Sequence, residues 1–252
     1  MIQILGVNIS MLDKKAVREA LRSYLESDLQ HYVVTPNPEM VVRAQKDDEF
    51  RKILNEADLA IADGAGLQHA ASLNREKWPP RITGNDVMQM LAGLCAEEGK
   101  KIFLLGGEKE NVAKKSADLL KEKYPTLKIE HDPAGPVYLE HGEWHMNPAV
   151  LDRLKEFEPD CLLVALGHGK QERWIKGFMP HLPSVRVAVG IGGAFDYLAG
   201  AVERAPEAMQ SMGLEWLYRL YKEPRRFKRI INAVVVFPIL VIWSKIKPRK
   251  SK

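Results

Sequence analysis

Short apolar runs rich in β-branched residues alternate with amphipathic stretches through most of the chain. The pattern predicts strands over 3–9, 31–35, 58–62, 101–105, 128–131, 161–166 and 185–189. Between them, apolar positions at helical spacing predict helices over 14–26, 39–55, 66–74, 85–98, 110–124, 148–156 and 170–178. The strands read as continuous apolar runs, so both of their faces are expected to be covered. The expected class is α/β, a mainly parallel sheet with helices on both faces.

After about Pro206 the pattern changes. An amphipathic helix is expected over 211–221, followed by the cluster Arg225-Arg226-Phe227-Lys228-Arg229 and an apolar run over 230–243 that Asn232 and Pro238 interrupt. Fourteen residues fall short of the roughly 20 that a membrane-spanning helix needs. Trp243 and the flanking cations suit a segment lying at a membrane surface instead. Two units are therefore expected, a core over 1–205 and a helical, membrane-associating appendage over 206–252.

Charge sharpens that division. The chain of 252 residues carries a formal +4, but from Arg219 onward it holds 11 of its 37 Lys/Arg and 1 of its 33 Asp/Glu, a net +10 against −6 for residues 1–218. An acidic body with a basic end meets two kinds of partner. Nucleic acid is not expected, because stacking aromatics and a recognised binding module are missing. Cations that bracket an apolar run fit a membrane contact better. Met1 opens directly into Ile2-Gln3-Ile4-Leu5 without the pattern of a signal peptide, and the two cysteines, Cys95 and Cys161, form no Cys-Xaa-Xaa-Cys pair. A cytoplasmic chain with buried thiols is the expectation.

In open parallel sheets ligands bind beyond the carboxyl ends of the strands. The residues expected there are Thr35-Pro36-Asn37-Pro38-Glu39, Asp63-Gly64-Ala65-Gly66, Gly106-Gly107-Glu108, Gly167-His168-Gly169-Lys170-Gln171-Glu172 and Gly190-Ile191-Gly192-Gly193-Ala194-Phe195-Asp196. Two prolines let Thr35 and Asn37 project into a cleft, although a capped turn before a helix explains them equally well. Asp63 reads either as a general base or as a helix cap. Arg81 is a candidate diphosphate ligand, with a plain surface arginine as the alternative. Gly106 and Gly107 resemble a phosphate-binding turn but lack the Gly-Xaa-Gly-Xaa-Xaa-Gly spacing, which weakens a nicotinamide-dependent oxidoreductase reading. Gln171 can hydrogen-bond a sugar hydroxyl. Gly192, Gly193 and Asp196 read as a nucleotide site or as a tight turn with a cap. No metal-ligand spacing and no Asp-Xaa-Asp motif occurs, and no cofactor is expected.

Taken in order, Thr35-Pro36-Asn37-Pro38-Glu39, Ala62-Asp63-Gly64, Arg81-Ile82-Thr83-Gly84, Leu105-Gly106-Gly107, Lys170-Gln171-Glu172, Gly193-Ala194-Phe195-Asp196, Arg204-Ala205-Pro206, Glu215-Trp216-Leu217-Tyr218-Arg219 and Glu223-Pro224-Arg225-Arg226 resemble the WecG/TagA/CpsF glycosyltransferase family. The likeness runs through nearly the whole chain. It implies a Rossmann-like core and an inverting, metal-independent transfer from a UDP-sugar to a polyprenyl-diphosphate-linked acceptor, in teichoic acid or exopolysaccharide synthesis. By family analogy an N-acetylmannosamine-type donor is favoured. The resemblance makes Asp63 the general base, with Thr35, Asn37 and Gln171 as its polar companions. It makes Arg81, Arg219, Arg226 and Arg229 the candidates for diphosphate charge. It implies a peripheral protein at the cytoplasmic face of the membrane and leaves a homo-oligomer open. A non-catalytic, membrane-associated nucleotide-sugar binding protein is the alternative. One departure stands out: the family's loop before Gln171 often reads Ser-Pro, where this chain has His168-Gly169-Lys170.

Overall fold

The computed structural model describes residues 1–72, 81–107, 111–202, 205–206, 209, 215–224 and 227–246. The chain opens on a hairpin of β1 (Ile2–Ile4) and β2 (Val7–Ile9), where the apolar run predicts a single strand. Leu5 and Gly6 take φ of 49° and 80°, and two successive left-handed residues close a two-residue hairpin. Helix α1 (Lys14–Glu26) follows, its N-terminus capped by Asp13.

Strand β3 (His31–Val34) leads into α2 (Pro38–Ala44) and α3 (Asp48–Asn55). The periodicity over 39–55 predicts one helix, and Asp47 is the reason there are two. It leaves helical geometry to cap α3, accepting from the Phe50 N–H at 3.0 Å, and Arg173 grips the same carboxylate at 2.7 and 2.8 Å. Next come β4 (Leu59–Ala60), α4 (Ala65–Ser72), α5 (Gly84–Glu98), β5 (Lys101–Gly106), α6 (Val112–Lys123) and β6 (Lys128–Asp132). A second hairpin, β7 (Tyr138–Glu140) and β8 (Glu143–His145), is one the apolar pattern does not predict, since β7 is exposed throughout. The described elements then run α7 (Pro148–Phe157), β9 (Cys161–Ala165), α8 (Lys170–Phe178), β10 (Val187–Gly190), α9 (Ala194–Leu198) and α10 (Glu215–Lys222).

Six strands form one wholly parallel sheet in the order β4-β3-β10-β9-β5-β6. Period-two alternation divides each strand between two apolar layers. Tyr32, Val34, Phe103, Leu105, Leu162, Val164 and Ala188 face a layer closed by α2, α3, α7 and α8. Val33, Ile102, Leu104, Cys161, Leu163, Val187 and Val189 face the layer closed by α1, α5, α6 and α9. Both cysteines are buried and free, and burial pushes the Cys161 thiol well up, with Cys95 beside it adding to the effect.

The C-terminal helix is longer than the apolar run alone predicts. Helix α11 (Phe227–Ile231), a π-helical stretch (Asn232–Val236) and α12 (Phe237–Ile246) continue into one another. The stretch Phe227–Lys245 is a 19-residue helix, long and apolar enough to cross a membrane by length and composition. The fourteen-residue count misses this because the cationic flanks are helical too. The π stretch has a local cause: Pro238 has no N–H to give, and the Phe237 N–H bonds back to the Asn232 carbonyl in a widened turn. One side of this helix is docked on the core through Phe237 and Val241, while Val235, Ile239, Ile242 and Trp243 stand exposed.

The backbones come close where β5 and β9 end. Gly106 takes φ +100°, and a Cβ there would stand 2.6 Å from the Ala165 carbonyl oxygen. Gly106→Ala is expected to destabilise the protein by roughly 2–4 kcal/mol through backbone strain and that clash. Thermal unfolding should show it as a clear drop in Tm relative to Gly99→Ala, where the added Cβ meets nothing within 4 Å.

Candidate active site

The carboxyl ends of the six strands open onto one cavity of about 820 Å³, in the upper part of the range of roughly 300–1,000 Å³ usual for small-molecule sites. Thr35 and Asn37 after β3, Asp63 after β4, Gly107 after β5, Pro133 after β6, Gly167 and His168 after β9, and Ile191 to Ala194 after β10 all line it. The wall opposite the sheet rim is built from the C-terminal helix, from Arg229 to Ile242, with Trp216 of α10.

Asp63 stands on the wall of this cavity rather than in the core. Its backbone N–H donates to the Pro36 carbonyl at 2.8 Å, which stitches the β3 and β4 exit loops together. Its side chain is 33% exposed, with a carboxylate oxygen 4.0 Å from an Arg81 guanidinium nitrogen. Both groups line the cavity, as do Thr83, Gly84 and Asn85, where α5 begins. Thr83 closes that helix end with a capping box, its hydroxyl and N–H both bonded to Asp86.

The polar companions expected around Asp63 hold the rim together. The Thr35 hydroxyl is buried and donates to the Gly190 carbonyl at 2.9 Å. Asn37 caps α2, its side-chain oxygen accepting from the Met40 N–H at 3.0 Å. Gln171 is buried between two partners: its amide donates to Glu172 at 2.8 Å and its oxygen accepts from the Gly192 N–H at 3.2 Å. Thr35 and Gln171 thus pin the β10 exit loop from two sides. Glu172 lies deeper still and also accepts from the Gly169 N–H; burial pushes its carboxyl above the ordinary range, which those hydrogen bonds only partly offset.

The glycine turns carry less free donor capacity than their sequence suggests. Gly107 lines the cavity, but its N–H donates to the Ala165 carbonyl at 3.0 Å, and the Gly192 N–H is taken by Gln171. Gly106 is packed against Ala165 behind the wall. Gly193 and the buried Asp196 of α9 are both part of the lining.

Of the three appendage arginines, Arg229 reaches the cavity, while Arg226 and the side chain of Arg219 lie outside the described residues. The Arg229 Nε donates to both oxygens of Glu39 at 3.0 and 3.1 Å, and a terminal nitrogen lies 2.8 Å from His168 Nδ1. His168 Nε2 lies 3.2 Å from Glu39. The imidazole thus bridges the two side chains, Nδ1 facing Arg229 and Nε2 facing Glu39. Burial pushes the Glu39 carboxyl up, but His168 and Arg229 together hold it below the ordinary range. The role of Glu39 was not legible in the sequence, since an acid in the first turn of a helix is the routine complement to its dipole. The departure at His168 was the available signal.

That cluster sets a pH dependence with a definite sign. The folded protein binds the Glu39 proton less tightly than the unfolded chain, whose carboxyl titrates near 4.5, so the stabilisation is complete at neutral pH and fades as pH falls through 4.5 and below. Glu39→Gln should cost about 1–3 kcal/mol at pH 7. Thermal unfolding should show the gap between variant and wild type narrowing toward pH 4.

Residues 2–251 match the model of the glycosyl transferase WecG/TagA/CpsF family. The chain is 32% identical over 211 residues to the N-acetylglucosaminyldiphosphoundecaprenol N-acetyl-beta-D-mannosaminyltransferase of Bacillus subtilis strain 168, an alignment covering 84% of this chain and 79% of that one. It is 29% identical over 253 aligned positions to the protein of that name from Staphylococcus aureus strain MW2, covering 100% of this chain and 96% of the relative. The same figures describe its likeness to the protein from Staphylococcus aureus strain NCTC 8325. A match through almost every residue makes this chain a member of the WecG/TagA/CpsF glycosyltransferase family.

Proposed function

We propose that the chain transfers N-acetylmannosamine from its UDP derivative to N-acetylglucosaminyl-diphospho-undecaprenol, a step of teichoic acid synthesis. The relatives' names supply the sugar and the acceptor. The observation that carries the mechanism is the Asp63 carboxylate on the wall of a cavity whose other walls bring Arg81 and Arg229 inward.

Asp63 removes the proton of the acceptor hydroxyl as that oxygen attacks the anomeric carbon of the donor. The bond from that carbon to the β-phosphate oxygen breaks, its electron pair leaves with UDP, and the single displacement inverts the anomeric centre. Negative charge grows on the departing diphosphate. Arg81 and the appendage arginines meet it without a metal ion, together with backbone N–H groups where α5 begins. Among the described residues no three His, Cys, Asp or Glu side chains come together as a metal site. Thr35, Asn37 and Gln171 hold the rim that aligns both substrates, and Gly193 and Asp196 border the nucleotide.

The division into a core over 1–205 and an appendage over 206–252 belongs to this reading. The exposed apolar side of the C-terminal helix rests in the lipid surface at the cytoplasmic face, where the acceptor is anchored. Arg229 stands between the two units, so an incoming diphosphate competes with Glu39 for it.

Asp63→Asn should lower kcat by roughly 10²–10⁴-fold and leave UDP binding, measured by calorimetry, within a factor of a few. Equal turnover in that variant removes Asp63 from the mechanism, and UDP binding without transfer in the wild type supports a non-catalytic binding protein instead. Transfer should survive a chelator. Activity that disappears with EDTA and returns with added Mg²⁺ contradicts a charge balance built on arginines.

A further inference from the structure

The cavity has two chemically different halves. Around the sheet rim its lining is polar, with Asp63, Arg81, Asn85, Gln171 and Asp196. Along the C-terminal helix it is apolar. Past Arg229 the helix turns Ala233, Val234, Phe237 and Val241 toward the cavity, and Met40 and Ala70 face them from α2 and α4. These helix positions recur at the spacing of one face. Phe237 and Val241 are almost wholly buried, so this wall is fixed in place.

We infer that the apolar half is a subsite for the first isoprenoid units of the lipid-linked acceptor, running along the inner side of the C-terminal helix. The inference deepens the transferase reading and rests on it. Three observations select a prenyl chain as the occupant. First, one cavity carries both halves, and a ligand charged at one end and hydrocarbon at the other matches that lining. Second, Arg229 lies at the junction, where charge complementarity seats a diphosphate. Third, the same helix exposes Val235, Ile239 and Trp243 away from the cavity, so hydrocarbon leaving this end meets an apolar surface rather than water alone. A nucleoside base, the competing occupant, needs hydrogen-bond partners that the apolar half does not provide.

The experiment compares kcat/KM for two acceptors, N-acetylglucosaminyl diphosphate carrying a chain of several isoprene units and the same head carrying a methyl group, in one detergent with the full chain. Wild type should prefer the prenyl acceptor by at least about tenfold, or about 1.4 kcal/mol. Ala233→Phe, which fills the subsite, and Val234→Asn, which makes it polar, should each cut that ratio severalfold. UDP affinity, measured on the same samples, should be retained in both. Two variants guard against one that fails to fold.

A wild-type ratio near one, or an unchanged ratio in both variants, overturns the subsite and leaves the transferase reading standing. UDP affinity lost in variants that keep the wild-type Tm puts the base in this half and overturns it as well. Absence of transfer to either acceptor from any UDP-sugar sinks the transferase reading itself, and the subsite with it.

Discussion

The candidate site depends on one ion pair, Arg229 with Glu39. The sheet rim supplies a floor of strand ends, but a floor alone is an open surface. The cavity gains its second wall because the C-terminal helix lies across that floor, tied by the Arg229 guanidinium to a carboxylate at the start of α2 and to His168 beyond β9. The pair is partly buried, so its charges are screened less than surface charges are, and the imidazole takes up hydrogen-bonding capacity that the two ions leave over. Phe237 and Val241 add apolar burial farther along the same helix.

The rim shows how a binding site and a stable sheet share the same atoms. Thr35 and Gln171 sit where residues that touch substrate are expected, yet their hydrogen bonds hold Gly190 and Gly192 in place. Gly107 lends its N–H to Ala165. Asp63 and Arg81 stand on the walls of the cavity. A scaffold whose rotamers are fixed by such second partners loses little order when substrate arrives.

Much of the fold was legible in the sequence because parallel strands are buried on both faces and read as unbroken apolar runs. Helices α1 and α8 match their predicted bounds, and the six strands of the sheet begin and end within two residues of theirs. It failed where backbone geometry overrides hydrophobicity. The left-handed pair at Leu5 and Gly6 folds one predicted strand into a hairpin, and Asp47 splits a predicted helix because its carboxylate serves two partners at once. Asp63, Arg81 and Arg229 were singled out from residue type and order, and all three line the cavity. The pairing of Glu39 and His168 with Arg229 was not legible, because it joins residues 190 and 61 positions apart whose partners only the closed chain reveals.

The C-terminal helix is greasy on opposite sides, and that restricts where it can go. Were it to swing away from the body of the protein in plain water, the side bearing Phe237 and Val241 would be wetted along with the side already bare, at a cost that grows with every methylene uncovered. In water the helix is therefore held against the body of the protein by the penalty of wetting both of its sides at once.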